Sequence, residues 1–180
     1  LRLGQDFLQL RRHEKDFLLR LDRTYVDKFN QQADQFLTKL VAIQTADEQS
    51  AANQAIFTQL QTSLPLYQQQ FNTLVEMRVA MGLDENNGYQ GAFREATHAL
   101  EAEIDQANLH YMHQLLLQIR RAEKDFLLRK DMGYVDKELN LYSSLRQRIE
   151  TQPPSIYAQL MPLLTRYQQQ FMQLVEAYQR

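Results

Sequence analysis

Four basic residues are the strongest candidates for chemistry in this sequence: Arg12 and Lys15, and again Arg121 and Lys124. Arg12 and Lys15 fall on a stripe that alternates steps of four and three, through Leu8, Arg12, Lys15, Leu19, Asp22, Val26, Phe29, Ala33, Phe36 and Leu40. That spacing is the seam of a helix facing a bundle. The same stripe recurs at Leu117, Arg121, Lys124, Leu128, Asp131 and Val135. Cations on a core-facing seam need partners, because an unpaired buried charge costs on the order of several kcal/mol. Asp22 and Asp131, two turns on, can neutralise only part of this charge. The pattern therefore predicts a site for an external anion, with arginine forks bidentate to a carboxylate and lysine adding a point charge. Arg11 and Arg120 flank the two sets. Arg166 adds a cation before the second YQQQF, where the first has Leu66, and Thr165 precedes it. The same residues also admit a solvated surface face: Arg12 with Asp16 and Asp16 with Arg20 are i,i+4 pairs, and Arg11 with Glu14 is i,i+3.

The elements that must carry these residues come in two copies. Residues 11–28 read RRHEKDFLLRLDRTYVDK and residues 120–137 read RRAEKDFLLRKDMGYVDK, differing only at 13/122, 21/130, 23/132 and 24/133. YQQQFNTLVE at 67–76 returns as YQQQFMQLVE at 167–176. The first pair is offset by 109 residues and the second by 100. Each half is thus a long segment, a connector and a return segment, giving repeats of about 1–85 and 91–180 within one 180-residue domain.

The apolar spacing is helical throughout, and five glycines and four prolines leave long stretches without breakers. The spacing predicts a long helix over 1–44, a shorter one over 47–62 with Asp47 as N-cap, and a return helix from Pro65 to 82. The Gly82–Gly88 stretch is a turn. A second long helix covers 91–148, and a return helix follows Pro153-Pro154, kinked at Pro162. The expectation is all-α: six helical segments, two long and four short, in an elongated four-helix bundle with an internal duplication of pseudo-twofold character.

Composition narrows function. A net charge of −2 gives no basic surplus for a phosphate backbone, so nucleic acid is not an expected partner. With no cysteine there is neither disulfide nor thiolate chemistry, which fits a periplasmic compartment. Glycines at 82, 88 and 91 lack the GK[ST] of a phosphate loop, and no serine sits in a nucleophile elbow. Glu95-Ala-Thr-His98 is an ExxH of the di-metal bundle type, but a second ExxH is missing. His110 and His113 share a face at i,i+3. No catalytic residue, metal or cofactor is expected. No run of about 18 apolar residues spans a membrane. Leu1 stands in place of a start methionine and the pattern is still running at Arg180. Both ends read as cut, with about 18 residues of the first helix expected upstream by comparison with the second repeat.

The repeated RRxEKDFLLRxDxxYVDK block and the stretch MGLDENNGYQGAFREATHALE at 81–101 resemble the helical bimodular sensor family of methyl-accepting chemotaxis proteins, over essentially the whole chain. The resemblance implies two stacked modules and an extracytoplasmic, periplasmic domain between two membrane spans of an inner-membrane receptor or, alternatively, a sensor histidine kinase. It implies a homodimer and a ligand that is a small organic acid anion, such as acetate, a C4 dicarboxylate or citrate. Arginines projecting into the bundle map best onto Arg12 and Arg121, with Lys15 and Lys124 beside them, and more loosely onto Arg166 and Thr165. The competing readings are a metal-binding four-helix bundle and a structural coiled-coil scaffold.

Overall fold

A computed structural model describes residues 3–46 and 51–179; Asp47, the expected N-cap, lies outside them. The described residues form seven α-helices, with no strand among them. The chain divides into two compact units, Leu1–Leu83 and Asp84–Arg180.

Unit 1 holds α1 (Leu3–Arg20), α2 (Thr24–Ala46) and α3 (Ala51–Met81). Helix α1 packs on α2, and α2 on α3. The expected helix over 1–44 is therefore a hairpin. Leu21 adopts the left-handed conformation (φ 54°) and its N–H bonds Phe17 O at 2.7 Å, closing α1. Asp22 then accepts the Thr24 N–H at 2.9 Å and the Thr24 hydroxyl at 2.8 Å, opening α2. A non-glycine residue in that region costs roughly 1–2 kcal/mol, which the packing of the two arms must offset. The core is Leu10 and Phe17 of α1, Phe29, Ala33, Phe36 and Leu40 of α2, and Phe57, Leu64, Phe71 and Val75 of α3. Helix α3 runs unbroken through Pro65, where two helices were expected. Leu64 and Phe71 are buried on either side of the proline. Keeping both in one core is worth more than the roughly 3 kcal/mol that an internal proline forfeits.

Unit 2 holds α4 (Gly88–Gln106), α5 (His110–Arg129), α6 (Met132–Glu150) and α7 (Pro154–Gln179). Each helix packs on two others, in the cycle α4–α5–α6–α7–α4. The expected helix over 91–148 is three helices. The first break is at Asn108, left-handed at φ 53°, a conformation asparagine tolerates. The second reproduces the Leu21 turn: Lys130 has φ 56°, its N–H bonds Phe126 O at 2.7 Å, and Asp131 accepts the Gly133 N–H at 2.8 Å. Helix α7 is continuous through Pro162. Ile104, Leu116, Ile119, Leu145, Leu160 and Leu164 form the centre of the core, and Phe126, Val135, Phe171 and Val175 a second cluster. No described helix is long and apolar enough to cross a membrane.

The repeated residues make matching contacts. Phe17 meets Phe71 edge-on at 5.8 Å and 87°, and Phe126 meets Phe171 at 6.2 Å and 83°. Tyr67 donates to Glu14, and Tyr167 to Glu123.

These breaks correct the predicted seam. Its α2 half is right: Phe29, Ala33, Phe36 and Leu40 are all buried. Its α1 half is not, because the phase does not carry back through the turn at Leu21. Leu10 and Phe17 face inward there, while Leu8 and Leu19 are exposed, Leu19 at 80%. In α5 the inward set is Met112, Ile119 and Phe126, and Leu128 stands 81% exposed. Arg12, Lys15, Arg121 and Lys124 are exposed rather than core-facing, and Asp22 and Asp131 serve as helix starts rather than as counter-charges in a seam.

Candidate functional site

Three basic residues of the second repeated block, Arg120, Arg121 and Lys124, converge on a cleft of about 460 Å³ between α4 and α5. Helix α5 contributes Leu117, Arg120, Arg121, Glu123, Lys124 and Leu127 at three- and four-residue steps along one side. Helix α4 contributes Phe93, Arg94 and Thr97. The hydroxyl of Thr97 donates to the Phe93 carbonyl at 2.9 Å, one turn back.

The four cations differ in how far they are already satisfied. Arg120 reaches across to Glu101, with Nη1 3.2 Å from Oε2. Arg94 pairs with Glu85 at 2.5 Å and donates to Asn86 Oδ1 at 3.2 Å. Among the described residues, Arg121 and Lys124 have no carboxylate within ion-pair distance. Both groups keep hydrogen-bond donors and positive charge that no described carboxylate satisfies.

The floor is Glu123, only 2% exposed. Burial pushes its carboxyl well above the usual range; the hydrogen bond from Tyr167 pulls the other way, nearby Glu138 adds to the rise, and Arg120 opposes it. Burial likewise raises Tyr167 well above the usual phenol value, and neighbouring Glu123 reinforces this. A carboxyl held toward its neutral form does not repel an anion as an ionised one would. The cleft therefore offers cations at its rim and the apolar surfaces of Phe93, Leu117 and Leu127 beside them.

The remaining candidates lie elsewhere. Arg11, Arg12 and Lys15 belong to α1 of unit 1. Arg11 approaches Glu14 at 3.9 Å, as the surface-face reading expected, while the Arg12–Asp16 and Asp16–Arg20 pairs do not form. Arg166 sits on α7, 3.7 Å from Glu95 of α4, and does not line the cleft. Thr165 is exposed and donates its hydroxyl to Met161 O at 2.9 Å. Of the eight residues singled out from sequence, the structure brings together Arg120, Arg121 and Lys124. It adds Arg94, Phe93 and Glu123. Glu123 was visible as the glutamate three residues before Phe126, a spacing that shares the phenylalanine's inward face; Arg94 carried no such signal.

The histidines make local contacts. His113 Nδ1 lies 2.9 Å from Asp105, and His98 Nδ1 lies 4.0 Å from Glu101. Among the described residues, no group of three or more His, Asp or Glu side chains is arranged to hold a metal ion. Comparison with protein-family models, with curated proteins and with solved structures gave no match.

Proposed function

We propose that this chain is the extracytoplasmic ligand-binding domain of a bacterial transmembrane chemoreceptor, and that it recognises a small organic acid anion in the α4–α5 cleft of unit 2. The observation that carries the reading is the unpaired Arg121–Lys124 couple beside Arg94 and Arg120 on one cleft. The receptor context is supported by the similarity of the repeated RRxEKDFLLRxDxxYVDK block to the helical bimodular sensor family. In this reading the repeats of about 1–85 and 91–180 are two modules of one duplicated helical architecture. The matching Phe17–Phe71 and Phe126–Phe171 contacts, and the matching tyrosine–glutamate pairs, support that ancestry.

The mechanism is a shift of population, without chemistry on the ligand. An anion held by α5 and α4 favours packings that keep the two sets of cations close, and only that difference in affinity can signal. The domain acts as a homodimer, and the displacement leaves through flanking membrane helices toward cytoplasmic signalling partners.

The test is thermal denaturation of the 180-residue chain in acetate, succinate, malate and citrate. A ligand at 100 times its dissociation constant adds about 2.7 kcal/mol of stability. The proposal expects one of these acids to stabilise the parent, and Arg121→Ala and Lys124→Ala to lose the effect. Arg12→Ala reports on the corresponding face of unit 1. A flat response to all four acids, or an undiminished response in both cleft variants, overturns the assignment.

A further inference from the structure

Glu138 of α6 is fully buried, at 0% exposure. Its Oε2 accepts a hydrogen bond from Gln168 Nε2 of α7 at 3.2 Å. Its Oε1 has no partner, and the Gln168 Oε1 is also buried and unpartnered. Two acceptor oxygens with no donor between them are a costly arrangement for a carboxylate, which can only accept. A protonated Glu138 becomes a donor and removes one of the two vacancies.

The neighbours supply no compensating charge. Across α5 stand Glu123, itself 2% exposed, and Arg120, which is committed to Glu101. From α7 come Tyr167, which donates to Glu123, and the neutral Gln168. On α6 itself the titratable neighbour is Tyr142. Among the described residues Glu138 has no ion-pair partner. Two carboxyl groups thus sit in one core, and the Arg120 charge bears on Glu123.

Unit 1 provides an internal comparison. The position equivalent to Glu138, 109 residues earlier, is Phe29. Phe29 is fully buried, with its ring 5.3 Å from Tyr67 and 4.0 Å from Phe71. An aromatic side chain fills this place in one copy of the repeat, so the helix packing does not require an acid. The acid in the other copy is a departure that burial penalises.

We propose that Glu138, together with Glu123, is a proton-binding site in the core of unit 2 that makes the packing of α5, α6 and α7 responsive to pH. Burial is the dominant influence on Glu138 and pushes its carboxyl up to about 7, against the hydrogen bond from Gln168. A carboxyl whose value is raised in the folded state contributes stability that is complete below its ordinary value of 4.5 and is lost as pH rises through about 7. Unit 2 tightens in acid and loosens toward neutrality.

The experiment follows urea unfolding of the full 180-residue chain, and the carbon resonance of the Glu138 carboxyl, from acid to neutral pH. The folding equilibrium of the parent is expected to weaken by roughly a hundredfold or more between the two values. Glu138→Gln, which keeps the shape and supplies a permanent donor, removes the Glu138 share of this dependence and leaves that of Glu123. Glu138→Phe installs the residue of unit 1 and reduces the dependence likewise. A carboxyl resonance that titrates near the ordinary glutamate value overturns the proposal without any variant. So does a Glu138→Gln or Glu138→Phe profile that superimposes on the parent's.

Discussion

Tyr167 donates its hydroxyl to Glu123 across α7 and α5, and Tyr67 makes the same bond to Glu14 in the first unit. The two bonds join repeated residues yet differ in surroundings. Tyr167 and Glu123 are both buried, whereas the Glu14 side chain keeps 21% exposure. Tyr167→Phe leaves a desolvated carboxyl without its donor and is expected to destabilise the protein by about 1–3 kcal/mol. In Tyr67→Phe, water can reach Glu14, and the expected loss is about 0.5–1.5 kcal/mol. Urea unfolding of both variants, analysed at matched slopes, checks the order. Equal losses would contradict it.

The helix starts at Asp22 and Asp131 give a second comparison. Asp131→Ala removes the acceptor for the Gly133 N–H and is expected to lose about 0.5–2 kcal/mol by chemical denaturation. At Asp22 the hydrogen bonds from the Thr24 backbone and hydroxyl hold the carboxyl below its usual value of 3.8. A lowered native value means that this contribution is present above 3.8 and lost as pH falls through the native value. Asp22→Ala should therefore flatten the acid side of the stability profile while leaving its slope near neutrality unchanged.

Gly91 packs its Cα against the backbone of the preceding turn. A Cβ there would lie 2.3 Å from the Asn86 carbonyl oxygen, which a side-chain rotation cannot relieve. Gly91→Ala is expected to destabilise by about 1–3 kcal/mol through this overlap. Calorimetry should show a lowered melting transition. An unchanged transition would mean that the turn before α4 moves freely.

Glu101 holds Arg120 at 3.2 Å, and in the proposed binding mode it competes with the organic acid for that guanidinium. Glu101→Gln frees that guanidinium and is expected to strengthen binding of an organic acid several-fold, while Arg121→Glu weakens it by at least about tenfold. Isothermal titration of the two variants with the best acid of the panel measures both directions. Opposite signs are the signature of the cleft; parallel changes are not.

Much of this fold is legible from residue spacing. The helical class follows from the three- and four-residue steps, and Phe29, Ala33, Phe36 and Leu40 disclose the buried face of α2. The turns at Leu21 and Lys130 are hidden, because leucine and lysine are poor markers of left-handed backbone and neither turn contains glycine at that position. Their only trace is an aspartate followed two residues later by Thr24 or Gly133. The turns shift the core face of α1 and α5 out of the phase that the spacing predicts, which leaves Arg121 and Lys124 exposed. Their grouping survives because both residues share one side of α5 whichever way that side points. Arg94 belongs to the 81–101 stretch that carries the resemblance, but its approach to the cleft depends on how α4 packs on α5, which no periodicity within α4 encodes.

The order of helix pairing bears on how quickly each unit can assemble. In the first, α1 pairs with α2 and α2 with α3, and the contact that skips a helix, α1 with α3 through Phe17–Phe71 and Glu14–Tyr67, passes over α2 alone. In the second, α4 must meet α7 after two intervening helices have been made. Chain closure over that span slows the search for the native arrangement. The amino-terminal half should thus reach its final state first, and protease pulses early in refolding should cut mainly beyond Asp84.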